Sequence, residues 1–108
     1  MTYVVVIFKA SGEVERREQT KAPTLKQLNE AVGGYIQSVP HMRKYDGLSR
    51  GYAYCDEDGK MKGKPHNPLA SDVWMQNVCG KALWYIPNLV GDVVYYAKKP
   101  KENGNGNP

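Results

Sequence analysis

Three lysines at alternate positions, Lys60, Lys62 and Lys64, run into Pro65-His66-Asn67-Pro68, a stretch that reads as the entry to a helix. Asn is a strong N-cap residue, and proline fits the first helical position because the N–H it lacks has no intrahelical partner there. A helix that begins this way exposes backbone amides and the positive end of its dipole, both of which favour an anion. The chemistry expected here is binding of a negatively charged group by Lys62, Lys64, His66 and Asn67. Upstream, residues 43–54 mix cations with flat rings: Arg43, Lys44 and Arg50 with Tyr45, Tyr52 and Tyr54. With Trp74 these could stack a base, at about 1–3 kcal/mol per base, and hold its phosphate through charge-assisted hydrogen bonds.

Groups that could run a reaction are poorly placed. Ser11, Ser38, Ser49 and Ser71 could each be combined with His41 or His66 and an acid, yet none sits in a nucleophile-elbow context. Asp56, Glu57 and Asp58 precede Gly59 in what reads as a solvated turn. Cys55 lies beside Asp56, and an acidic neighbour raises a thiol pKa. Gly33-Gly34 follows a helix pattern instead of opening one, so there is no phosphate-cradling glycine loop. His41, His66 and the two cysteines lack metal-ligand spacing. The expectation is a binding protein that is not an enzyme and has no cofactor and no metal.

The elements that must position these residues form an α+β pattern. Tyr3–Lys9 reads as a strand apolar on both faces, and Val14–Glu18, after the turn at Ser11-Gly12, as its charged edge partner. Thr24 caps a helix over 25–32 with Gln27 completing a capping box, and Gly33 stops it. Strands follow over Tyr35–Val39 and Tyr52–Asp56, then the helix over 69–78 with Leu69, Val73, Trp74 and Val78 on one side, then strands over Ala82–Ile86 and Asp92–Ala97. The expected architecture is a mostly antiparallel sheet of five to six strands with two short helices. Residues 41–50 are the least regular stretch, and a loop of this kind is where binding residues concentrate.

The 108 residues suit one domain, here 1–98, with a disordered tail over 99–108. Eight tyrosines against one phenylalanine supply rings with an apolar face and a polar tip. The net charge of +4 is spread along the chain and not gathered into a stripe, which argues against a duplex-DNA partner. The apolar start is too short for a membrane span or secretory segment, so a cytoplasmic protein with free thiols is expected. Apolar strands in excess of what two short helices can cover predict a homo-oligomer, most simply a two-fold dimer.

Leu25 to Ile36 with its Gly-Gly-Tyr-Ile end, Gly51 to Lys60, Asn67-Pro68-Leu69-Ala70 and Leu89 to Val94 together resemble a small family of unknown function found in bacteriophages and on mobile elements. The likeness spans most of residues 3–97. It implies an accessory phage gene of the kind that counters host defence, acting in the host cytoplasm, and it brings no residue-level mechanism. Three readings follow. The first is a sponge that sequesters a small anionic nucleotide, a cyclic dinucleotide or ADP-ribose-like immune signal. The second is an inhibitor or adaptor that covers a host protein or phage partner. The third is a single-stranded nucleic-acid binder.

Overall fold

A computed structural model describes residues 1–78 and 88–100. Strands β1 (Tyr3–Phe8), β2 (Val14–Gln19), β3 (Ile36–Ser38), β4 (Tyr52–Asp56) and β5 (Val93–Lys98) form one sheet in the order β2-β1-β5-β4-β3. Every neighbouring pair is antiparallel. Helix α1 (Leu25–Val32) packs on one face and α2 (Pro68–Val78) on the other. The expected small α+β fold is the one observed, with five strands and two helices. The strand expected over 82–86, Cys79 and most of the C-terminal tail lie outside the described residues.

The alternation of β1 divides its side chains between two cores. Val5 and Ile7 join Leu28 and Val32 of α1 and Val94 of β5. Val4, Val6 and Phe8 join Ala70, Val73, Trp74 and Val78 of α2, with Tyr95, Met42, Leu48 and Leu89. Val4 through Phe8 are all at most 6 % exposed. One helix on each face therefore buries a strand that is apolar on both; the second apolar strand behind the expectation of a dimer, over 82–86, lies outside the described residues.

Local sequence explains both helix starts. Thr24 accepts from Gln27 N–H at 3.1 Å while Gln27 Oε1 accepts from Thr24 N–H at 2.9 Å, the reciprocal pair of a capping box. Gly33 closes α1 in the left-handed region at φ 74°. At α2, Asn67 Oδ1 accepts from Ala70 N–H at 3.1 Å, so the expected cap is present. Its amide does more: Nδ2 donates to Phe8 O at 2.8 Å and Gly91 O at 2.9 Å, tying the α2 entry to the end of β1 and the approach to β5.

Candidate functional site

The lysines ahead of α2 do not gather at its N-terminus. Lys62 Nζ and Lys64 Nζ both donate to Asp56 Oδ2, at 2.8 and 2.7 Å. Lys64 also donates to Val32 O at 2.7 Å, at the C-terminal end of α1, where the dipole favours a cation. Asp56 is buried, which corrects its reading as part of a solvated turn. Burial pushes its carboxyl upward, but hydrogen bonds from Lys62, Lys64 and the Asp58 N–H outweigh this and hold it well below the usual carboxylate range. The same pairing raises Lys62. Gly34 is part of the arrangement, since a Cβ there would stand 2.6 Å from the Asp56 carboxyl atoms. This cluster locks the β4 turn onto α1, and its charges are spent inside the fold.

Other expected ligand contacts are likewise committed. Asn67 is fully buried and bonded through both side-chain polar atoms. Trp74 is buried in α2, its Nε1 donating to Pro40 O at 2.7 Å. Tyr45 packs edge-on against Phe8 with centroids 4.8 Å apart. His66 is exposed, with Nδ1 at 2.6 Å from Asn88 Oδ1. The structure therefore splits the expected site: Arg43, Tyr52 and Tyr54 line one cleft beside β4, Lys44 lines another with Asn77 and Val73 of α2, and Arg50 stands exposed in the loop between β3 and β4.

The loop at 41–50 is held in an unusual conformation. His41, Asp46 and Arg50 all have positive φ, at 68°, 47° and 55°, a region that side chains other than glycine occupy only at a cost. Asn77 of α2 fixes the loop, its Oδ1 accepting from the N–H groups of Arg43 and Lys44 and its Nδ2 donating to Lys44 O. Arg43 O accepts from Tyr95 Oη at 2.8 Å and from Gly51 N–H at 2.9 Å. Burial pushes the Tyr95 phenol up to about 12, with Arg43 acting against it, so the phenol stays a donor. Gly51 is required here because a Cβ would meet the Tyr95 ring at 2.4 Å.

That backbone clamp places the Arg43 guanidinium 5.2 Å from the centroid of the Tyr52 ring, within cation–π range. Tyr52 is 50 % exposed and starts a row across the α1 side of the sheet. Its ring is 5.7 Å from that of Tyr96 on β5, which is 6.3 Å from Tyr3 on β1 and 6.4 Å from Tyr54, nearly parallel to it. Ser38, His41, Arg43, Tyr52 and Tyr54 line a cleft of about 210 Å³ beside this row. Burial, then Tyr54 and the other neighbouring tyrosines, raises Tyr96. Tyr3 and Tyr96 were not singled out from the sequence; only the pairing of β5 between β1 and β4 brings the Tyr96 ring beside those of Tyr52 and Tyr3.

The surface offers flat rings with a guanidinium beside them. Cys55 is pushed up by burial and by Asp56, with Lys60 acting weakly against them, so its thiol is a poor nucleophile. No cluster of metal-ligating side chains occurs among the described residues, and no helix there is long and apolar enough to cross a membrane. A family profile described as a domain of unknown function, DUF3846, matches residues 1–100. Searches of curated proteins and of solved structures return no match.

Proposed function

The chain belongs to the DUF3846 family, and we propose that it is a binding module that holds nucleotides by stacking without transforming them. In a bacteriophage such a module acts as a counter-defence sponge, withdrawing a nucleotide immune signal from the host cytoplasm. The observation that carries this reading is the Arg43 guanidinium fixed over Tyr52 at the head of a continuous row of tyrosines. A base laid on Tyr52 gains stacking on the order of 1–3 kcal/mol, and an adjacent arginine supplies a charge-assisted contact to its phosphate. The pinned loop lowers the entropy lost on binding, because Arg43 is already positioned. The binding residues in this reading are Arg43, Tyr52, Tyr54 and Tyr96, with Lys44 and Arg50 contributing positive potential.

Calorimetry against a panel of mononucleotides, cyclic dinucleotides, ADP-ribose and short oligonucleotides tests it. Binding to at least one of these, weakened tenfold or more by Tyr52→Ala and by Arg43→Gln, is the expected result. A second reading, inhibition of a host protein, draws support from the rigid exposed loop itself, whose three left-handed residues hold a fixed shape. No heat with any nucleotide, together with a host protein captured through this loop, would replace the first reading with the second.

A further inference from the structure

Cations on the two sides of strand β2 are treated differently. Arg16 and Glu18 point to the α2 side, where Arg16 pairs with Asp46 at 3.2 Å and Glu18 with Lys99 at 3.2 Å. Arg17, one residue away, points to the α1 side, opposite Val5 and therefore in the same cross-strand row as Tyr96 and Tyr52. Lys98 stands opposite Tyr3 on that side. Both Arg17 and Lys98 are exposed, and neither forms an ion pair among the described residues. The tyrosine row thus has Arg43 at one end and two uncompensated cations at the other.

Spacing along the row selects among nucleotide ligands. Successive centroids are 5.7 and 6.3 Å apart, well beyond the roughly 3.4 Å rise of stacked bases along a duplex strand. Bases on successive rings must therefore be unstacked from one another, which a single strand allows and a duplex does not. From β4 through β5 and β1 to β2 is three strand spacings, about 14 Å in all. Arg17 also lines a groove of about 630 Å³ between α1 and the β1–β2 hairpin, floored by Ile7, Ala31 and Val32, a volume suited to a small ligand group.

We infer that the occupant of this surface is a single-stranded oligonucleotide segment of two to three consecutive nucleotides, running from Arg43 and Tyr52 across Tyr96 and Tyr3 to Arg17 and Lys98. The inference rests on the nucleotide-binding reading and narrows it. One base lies on Tyr52, the next on Tyr96 with the Tyr3 ring, inclined 60° to that of Tyr96, at its edge, and a third enters the groove at Arg17. The phosphates between them meet Arg17 and Lys98, two of the exposed cations that form no ion pair among the described residues.

Fluorescence anisotropy with labelled homopolymers of one to six nucleotides, linear and cyclic, gives the test. Affinity should rise at least tenfold from the mononucleotide to the trinucleotide and level off beyond it. Arg17→Gln and Lys98→Gln should each weaken trinucleotide binding several-fold and make the salt dependence shallower. Arg16→Gln, on the same strand but the opposite face, should leave binding unchanged. Mononucleotides bound as tightly as trinucleotides, or equal losses from Arg16→Gln and Arg17→Gln, would overturn this inference while leaving nucleotide binding intact. No binding at any length, linear or cyclic, would overturn both. Unchanged thermal unfolding of the variants ties any loss to the surface and not to the fold.

Discussion

Asn67 can be tested as a clamp and not merely a helix cap, because two substitutions separate the roles. Asn67→Ala removes the acceptor for Ala70 N–H, costing about 0.5–2 kcal/mol as a lost cap. It also strips the donors from Phe8 O and Gly91 O, each a buried acceptor whose desolvation costs about 1–3 kcal/mol when unmatched. Together these give a loss on the order of 2.5–8 kcal/mol, a large part of the roughly 5–15 kcal/mol that stabilises a small domain. The corresponding fall in Tm is at least about 10 °C for a chain of this size. Asn67→Asp keeps a side chain that caps a helix as well as Asn but turns acceptor against acceptor at Phe8 O and Gly91 O and buries a charge. Chemical denaturation followed by circular dichroism measures both variants. If Asn67→Asp stays within about 0.5 kcal/mol of the wild-type protein, at the low end of an N-cap loss, the clamp is refuted and only the cap remains.

Helix ends and strand alternation were legible in the sequence because they are decided within a few residues. Thr24 with Gln27, Gly33, and Asn67 with Pro68 sit where their chemistry requires, and β1 reads as central and β2 as an edge from their polarity alone. The site was less legible because its parts are joined by pairings distant in sequence. Lys62 and Lys64 look like free cations near α2 until β4 delivers a buried Asp56 to them. Tyr96 is an ordinary strand residue until β5 inserts between β1 and β4 and sets its ring beside those of Tyr3 and Tyr52. The loop at 41–50 was expected to carry function, but its left-handed turns and its attachment to Asn77 are tertiary facts.

Three further outcomes are expected. Asp56 has a lowered pKa in the fold, so its stabilisation is complete above the unfolded value near 3.9 and is lost as pH falls towards the folded value; urea midpoints between pH 5 and 2 should fall more steeply for the wild-type protein than for Asp56→Asn, and parallel slopes would refute the pairing. Gly34→Ala forces a Cβ onto the Asp56 carboxylate and should cost about 1–3 kcal/mol as an overpacking change, read from the shift in denaturation midpoint; an unaffected midpoint would show that the cluster yields. In a Cys79→Ser background, Cys55 should react with a disulfide reagent at pH 7 more slowly than a small-molecule thiol, because burial and Asp56 both disfavour the thiolate; equal rates would contradict that environment.

Backbone amide NMR of the labelled protein, titrated with a trinucleotide, tests nucleotide binding by the tyrosine row most directly. Shift changes should centre on Arg43, Tyr52, Tyr54, Tyr96 and Tyr3, reach Arg17 and Lys98, and leave the amides of Lys62 and Asn67 in place, since those side chains are bonded within the fold. Changes concentrated instead at residues 62–70, or a spectrum unmoved at saturating ligand, would contradict it.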